Sequence, residues 1–216
     1  MYYKNGLDKP QEECGVFGIV TTSDEAAGIT YNALLALQHR GQEGAGIAIQ
    51  RDGSILYHKD VGLVSEVFGR DVLDKLPKAH MAIGHVRYST TGINSQKNTQ
   101  PMITEYLKGR LATAHNGNIV NAAEIREKLV SVVLSSRGKL IAFRDGTGFR
   151  PLCLGKNAQG WAVASESCGL DSAGFTFVRD IQPGEMVVIG GDGSVESRML
   201  LPGRKKGLCI FEYVYI

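Results

Sequence analysis

Cys14 is the residue whose position points most directly to covalent chemistry. It follows a short polar leader, residues 1–13, and stands just before an apolar run over residues 16–20. A cysteine thiol has a pKa of about 8.5 and a free α-amine one of about 7.7–8, so an amine on the same residue can take the thiol proton. Removal of residues 1–13 would create that amine and make Cys14 a candidate nucleophile with an internal base. The alternative is a small buried hydrophobic side chain.

Two arginines stand where predicted elements end. Arg40 and Gly41 follow a predicted helix, and a cationic helix end with a glycine stop explains both of them. It does not explain the density of polar groups just before a core strand, so both remain candidate site residues. Arg87 follows an apolar strand, and its planar guanidinium suits bidentate binding of a carboxylate. A structural ion pair is an equal alternative for Arg87.

A third polar strand end is His115-Asn116-Gly117. The Asn116 side-chain amide and the Gly117 backbone N–H are two neutral donors side by side, which is what an oxyanion pocket requires. The alternative is a simple turn, because Asn-Gly is a leading hairpin signal.

The elements that must position these groups are mostly strands. Two helices are predicted, over residues 24–39 and 121–134, the second beginning at a capping Asn121. Many neighbouring strands with few helices favour an α+β fold of antiparallel sheets packed face to face, with helices outside. The predicted strands cover residues 16–20, 45–50, 54–58, 81–86, 111–114, 139–143, 151–154, 161–164, 186–189 and 195–199.

Composition excludes several classes of function. The 216 residues carry a formal net charge of +2, so charge alone predicts neither a nucleic-acid nor an anionic membrane partner. The apolar runs are too short for a membrane-spanning helix, and the charged leader is not a secretory signal. We therefore expect a cytoplasmic protein. Its four cysteines form no C-x-x-C pair and are expected to be reduced thiols.

The order of these motifs resembles the class II glutamine amidotransferases. The stretches ECGVFGI, LQHRGQEGAGI, GLVSEVF and IGHVRYSTTG match that class generally. The stretches GFRPL, VASES and FEYVY match its purine branch, the glutamine phosphoribosylpyrophosphate amidotransferases. The resemblance implies an N-terminal nucleophile hydrolase fold, a four-layer αββα sandwich of two antiparallel sheets. It also implies hydrolysis of L-glutamine through a thioester, with ammonia passed to a phosphoribosyltransferase domain that makes phosphoribosylamine for purine synthesis.

The resemblance assigns a role to each candidate residue. Residues 1–13 become a propeptide whose removal frees Cys14, and residues 14–216 become the glutaminase domain. Catalysis would fall to Cys14 with Asn116 and Gly117 as the oxyanion hole. Substrate binding would fall to Arg87, Thr90, Arg40, Gly41 and His115.

The sequence departs from this family in two places. The phosphoribosyltransferase domain is absent from residues 1–216. A Ser-Asp-Thr/Ser-Glu motif, whose Asp holds the substrate's α-amino group in the family, is also absent, and the chain looks shortened near residues 134–138. An ammonium buried without its carboxylate partner would cost roughly 3–5 kcal/mol, so glutamine binding is expected to be weak.

The resemblance predicts no cofactor within this chain. For the full-length enzyme it implies Mg²⁺ and a [4Fe–4S] cluster as candidates, with Cys209 at the position of one cluster ligand, and it implies a homo-oligomer. Two alternatives stay open. One is a degenerate, non-catalytic domain that serves as a scaffold or a glutamine sensor. The other is a different class II amidotransferase, which would share the nucleophile and oxyanion segments.

Overall fold

The computed structural model of the chain describes residues 14–88, 96–116 and 130–201. Within these ranges the helices are α1 (Ala26–Ala36), α2 (Val64–Val67), α3 (Arg70–Leu73) and α4 (Ser167–Ser172). The strands are β1 (Gly15–Thr21), β2 (Gly44–Arg51), β3 (Ser54–Val61), β4 (Met81–Arg87), β5 (Met102–Tyr106), β6 (Gly109–Asn116), β7 (Val130–Ser135), β8 (Lys139–Arg144), β9 (Cys153–Asn157), β10 (Gly160–Ala164), β11 (Thr176–Asp180), β12 (Glu185–Gly190) and β13 (Val195–Met199).

The strands form two antiparallel sheets. The first has seven strands in the order β11-β9-β10-β1-β4-β2-β3, and the second has six in the order β13-β12-β8-β7-β6-β5. β1 lies between β10 and β4 and is antiparallel to both. This confirms the predicted α+β fold of two packed sheets.

Two apolar cores explain why the central strands read as unbroken hydrophobic runs. One core lies between the sheets and includes Val16 and Val20 of β1. The other lies between the seven-stranded sheet and α1, α2 and α4, and it includes Phe17 and Ile19. Since successive side chains of a strand point to opposite faces, β1 buries both faces at once. The burial of all seven of its residues follows from that position.

The described helices cover only the seven-stranded sheet. A second helix was predicted over residues 121–134, and residues 121–129 lie outside the described residues. The remainder of that prediction is wrong, because Val130–Ser135 is strand β7, paired with β6 and β8. Three valines in this strand favour the extended chain, and pairing on both sides outweighs the helical pattern read from the sequence.

Other element boundaries also differ from the predictions. α1 ends at Ala36, and a short 3-10 helix, Gln38–Arg40, replaces the last predicted turn. Strands β5 and β11 were not predicted. Both lie at a sheet edge, where most of their side chains are exposed and the alternation of apolar and polar residues is weak.

Gly46 of β2 lies directly against the segment that precedes β5. A Cβ atom built on Gly46 would lie 2.1 Å from the Gln100 carbonyl oxygen and 2.9 Å from Pro101 Cδ. Lys59 Cβ in strand β3 would also lie 2.7 Å away, so the added carbon has close neighbours in two segments. Gly46 is therefore required for the close approach of the segment before β5 to the first sheet.

We predict opposite effects of two Gly→Ala substitutions on stability. Gly46→Ala should lower the free energy of unfolding by about 1–3 kcal/mol, because the Gln100 backbone must shift away from β2. Gly28→Ala, in α1 with no atom within 4 Å of the added Cβ, should raise it by about 0.5–1 kcal/mol. Urea denaturation of both variants measures the difference. Equal stability of the Gly46→Ala variant and the parent would contradict the close contact.

Candidate active site

The candidate residues of the first sheet lie together because the strands are antiparallel. Cys14 precedes β1, Arg87 ends β4, and Glu166 lies two residues after β10. β1 runs opposite to both neighbours, with Gly15 paired to Val86 and Phe17 paired to Ala164. The start of β1 and the ends of β4 and β10 therefore meet at one edge of the sheet, and residues separated by more than 70 positions become neighbours.

The Cys14 sulfur is held by the backbone of Tyr88. Sγ lies 3.5 Å from the Tyr88 carbonyl oxygen, to which the thiol can donate, and 3.4 Å from the Tyr88 nitrogen, whose N–H donates to the sulfur. Burial raises the pKa of the Cys14 thiol, and the Tyr88 hydrogen bond and the charges of Arg87 and Arg40 oppose that rise only in part. The thiol is therefore protonated at neutral pH, and a base must remove its proton before it can attack.

Arg40 supports Cys14 from the backbone side. Its Nε donates to the Cys14 carbonyl oxygen at 3.3 Å, and its Nη1 forms a close ion pair with Glu166 Oε1. The other carboxylate oxygen of Glu166 lies 3.1 Å from His39 Nε2. Burial raises the pKa of Glu166, but the charges and hydrogen bonds of Arg40 and His39 outweigh it, so the net pKa is lowered. Arg40 is thus a buried ion-pair residue that holds the chain at position 14.

Gly41 has a steric role beside Arg87. A Cβ on Gly41 would lie 2.5–2.8 Å from the carbonyl and nitrogen atoms of the Arg87 backbone. The Glu43 N–H also donates to the Arg87 carbonyl oxygen at 3.0 Å. Only glycine allows the turn after α1 to pass this close to the end of β4. Arg87 itself is 6% exposed, and its backbone is fixed by both contacts.

Asn116 brings the second sheet to the same edge. It is the last residue of β6, where it pairs with Val130, and it is 2% exposed. Within the described ranges its side-chain Nδ2 is buried and makes no hydrogen bond. A buried amide donor without an acceptor costs about 1–3 kcal/mol of folding free energy.

The backbone N–H and carbonyl of His115, the residue before Asn116, are held by two side chains. The Gln100 carboxamide accepts the His115 N–H at 2.7 Å and donates to the His115 carbonyl oxygen at 3.4 Å. His85 of β4 donates from Nε2 to the same carbonyl oxygen at 3.2 Å. Because His85 belongs to the first sheet and His115 to the second, this bond ties the two sheets together next to Asn116. Gln100 and His85 thereby hold the backbone that leads into Asn116.

His85 is neutral in the folded protein. Burial is the main cause that lowers its pKa to about 3, and the nearby His115 and Arg87 lower it further. The neutral ring has one N–H, which it donates to His115, and its Nδ1 has no hydrogen bond within the described residues.

The structure thus gathers six of the predicted site residues at one edge, in two groups joined through β4. The first group belongs to the seven-stranded sheet and the second to the six-stranded sheet. The six residues are Cys14, Arg40, Gly41 and Arg87 in the first group, and His115 and Asn116 in the second. Thr90, Gly117 and Cys209 lie outside the described residues, as does the predicted propeptide. Sequence reasoning assigned no role to Glu166, Gln100 or His85, although Glu166 is an acidic residue two positions after an apolar strand, which is a detectable signal.

Comparison with known proteins identifies the family. Residues 71–136 match the family model described as glutamine amidotransferases class-II. The amidophosphoribosyltransferase of Mycobacterium tuberculosis is 39% identical over 259 residues, covering 97% of this chain and 49% of the relative. Amidophosphoribosyltransferase 2, chloroplastic, of Arabidopsis thaliana is 41% identical, covering 96% of this chain and 44% of the relative. The chain belongs to the class II glutamine amidotransferases.

Solved structures agree with that assignment. Glutamine phosphoribosylpyrophosphate amidotransferase from B. subtilis matches with a TM-score of 0.82 and 34% identity, covering 94% of this chain and 52% of that one. The chain therefore has the N-terminal nucleophile hydrolase fold. The chain spans about half the length of the curated relatives it matches. No helix within the described residues is long and apolar enough to cross a membrane.

We predict that His85 makes stability depend on pH in mildly acidic solution. The folded protein keeps His85 neutral down to a pKa of about 3, whereas the unfolded chain takes up the proton near pH 6.5. The free energy of unfolding therefore falls as pH is lowered from about 6.5 to about 3, by about 2 kcal/mol between pH 7 and pH 5. Urea denaturation at several pH values measures this slope.

The matched variants are His85→Gln and His80→Gln. Gln at position 85 can keep the donor to His115 but does not titrate, so the slope between pH 7 and pH 5 should flatten. His80 is exposed, and its replacement should leave the slope unchanged. The same slope in the His85→Gln variant and the parent would show that another group is responsible.

Proposed function

We propose that this chain hydrolyses the side-chain amide of glutamine, with Cys14 as the nucleophile, and that it forms the glutaminase half of an amidophosphoribosyltransferase. The names of the relatives and the matched solved structures support the purine branch of the family. The ammonia would pass to a phosphoribosyltransferase domain and form phosphoribosylamine. That transfer, a homo-oligomeric assembly, Mg²⁺ and a [4Fe–4S] cluster belong to the full-length enzyme in this proposal.

The observation that carries the proposal is the unpaired Asn116 amide at the edge where Cys14 lies. Attack of a thiolate on an amide carbonyl places negative charge on the carbonyl oxygen. A buried donor with no acceptor of its own within the described part of the chain can meet that charge without first breaking another bond. A structural asparagine at this depth would instead be expected to have an acceptor.

The chemistry then follows from the state of the Cys14 thiol. Because burial raises its pKa, the thiol does not ionise by itself near neutral pH. After removal of residues 1–13, the α-amine of Cys14 would take the thiol proton as the sulfur attacks. The tetrahedral intermediate would expel ammonia and leave a thioester on Cys14. Water would then hydrolyse the thioester to glutamate and return the thiol.

Arg87 is proposed to hold the glutamine α-carboxylate. It ends β4 one residue before the Tyr88 backbone that touches the Cys14 sulfur, and it is close enough for its charge to lower the pKa of Cys14 against the effect of burial. A bidentate guanidinium–carboxylate pair would fix the substrate's orientation relative to the nucleophile.

The proposed site has no residue assigned to bind the substrate's α-amino group. The match to the mycobacterial relative extends over 259 residues, more than the 216 of this chain, so that relative contains residues without a counterpart here. Residues 134–138 close a regular hairpin, in which Ser135 pairs with Lys139. We propose that the missing stretch belongs before Val130, where β7 begins, and that glutamine consequently binds weakly.

A non-catalytic role is the second candidate, and the same missing stretch favours it. A domain that keeps the fold but lacks the amino-group anchor could serve as a scaffold or a sensor. Calorimetry with glutamine, together with labelling by a glutamine-mimicking electrophile, separates the two functions. Rapid covalent labelling of Cys14 supports catalysis, whereas glutamine binding without any labelling supports the sensor.

We predict that glutaminase activity depends on both Cys14 and Asn116. Cys14→Ala should abolish the release of ammonia from glutamine. Asn116→Ala should lower kcat by about 10²–10³ with little change in KM, since the oxyanion exists only in the transition state. Mass spectrometry of the active protein should show an N-terminus at Cys14.

Cys153→Ser provides the control for general loss of a thiol. Cys153 is buried in β9, where its thiol donates to the Ala164 carbonyl oxygen, and a hydroxyl can keep that bond. This variant should retain the parent activity. An active protein that still begins at Met1, or an Asn116→Ala variant with unchanged kcat, would refute the mechanism.

A further inference from the structure

A second cluster of reactive side chains lies next to Arg40, which also bonds to the Cys14 carbonyl. It consists of His39, Glu166 and Cys168, and we call it the His-Glu-Cys cluster. One ligand atom from each of the three residues lies within 4.8 Å of the other two. None of the three contacts glutamine in the proposed hydrolysis, although Glu166 pairs with Arg40. The cluster joins the 3-10 helix after α1 to the start of α4, two elements far apart in the sequence.

The distances within the cluster are close to those of a metal site. Glu166 Oε2 lies 3.1 Å from His39 Nε2 and 3.5 Å from Cys168 Sγ. Zinc–ligand bonds of 2.0–2.3 Å in a tetrahedron place neighbouring ligand atoms about 3.3–3.8 Å apart. Small movements of the His39 and Cys168 side chains would therefore bring all three atoms into coordination.

The orientation of the His39 ring also fits a metal ligand. Nδ1 lies 3.0 Å from the carbonyl oxygen of Ala36, the last residue of α1, so this nitrogen carries a proton and donates it. Nε2 then faces the Glu166 carboxylate with a lone pair unless a second proton is bound. A backbone carbonyl that fixes one ring nitrogen while the other binds the metal is a common arrangement in zinc sites.

Charge and access complete the argument. A divalent ion bound to the Glu166 carboxylate, the Cys168 thiolate and a neutral His39 would have two negatively charged ligands, beside the positive charge of Arg40. Arg40 binds the other carboxylate oxygen, Oε1, and leaves Oε2 for the ion. The His39 side chain is 48% exposed, so an ion can enter from solvent and a water molecule can complete the coordination.

We propose that the His-Glu-Cys cluster binds one Zn²⁺ ion through His39 Nε2, Glu166 Oε2 and Cys168 Sγ, with water as the fourth ligand. Binding releases the Cys168 thiol proton to solvent, and a second proton where His39 is an imidazolium. The mixed nitrogen, oxygen and sulfur ligands favour Zn²⁺ over Mg²⁺, which prefers oxygen ligands alone. The proposal concerns binding, so it can be tested without glutamine and fails independently of the proposed function.

The test is a zinc titration of chelator-treated protein that carries Cys14→Ala. This background is needed because an N-terminal cysteine can itself chelate zinc through its amine and sulfur. Competition with a fluorescent zinc indicator should show one ion per chain, and zinc should protect Cys168 from alkylation, read by mass spectrometry. A large excess of Mg²⁺ should not displace the ion.

His39→Ala and Cys168→Ala, each added to the same background, should weaken zinc binding by about 100-fold or more. Cys153→Ser is the matched control, because its thiol is buried outside the cluster, and it should leave the affinity unchanged. Thermal melting without zinc checks that each variant is folded. Zinc bound with equal affinity by the parent and both cluster variants would overturn the proposal, as would the absence of a stoichiometric ion in the folded parent. An ion pair of protonated His39 with Glu166 would then account for the cluster.

Discussion

The pairing of β1 with β4 and β10 is the constraint on which the site depends. This register, in which Gly15 lies opposite Val86, places Cys14 next to Tyr88. β1 is buried on both faces, so a shift of one residue would move Phe17 and Ile19 from one core into the other. The position of Cys14 is therefore determined by the packing of the whole strand.

A second constraint ties the two sheets together at the same edge. The bond from His85 to the His115 carbonyl oxygen crosses from one sheet to the other, and Gln100 pairs with both backbone groups of His115. Gln100 can reach them because β2 has a glycine, Gly46, where the Gln100 backbone passes. The backbone next to Asn116 is thus held by residues to which the proposed chemistry gives no role.

The buried ions of the first sheet have a supporting role. Arg40 pairs with Glu166 on one side and donates to the Cys14 carbonyl on the other. Breaking a buried ion pair leaves an uncompensated charge, which is more costly than the pair is stabilising. The pair therefore holds the chain at position 14 in place, and its main effect is on the position of Cys14.

The amino-acid sequence by itself determined the α+β class, most strands of the two sheets and the order of the motifs, because periodicity and strand-end polar residues are local properties. It also identified Cys14, Arg87 and Asn116 as candidates. It misassigned residues 130–134 as helix, since the choice between helix and strand there depends on β6 and β8, which pair with this segment through the tertiary fold. Only the tertiary structure showed that Glu166, Gln100 and His85 belong to the site. Their partners lie 15 to 126 positions away, and no local pattern encodes a hydrogen bond between sheets.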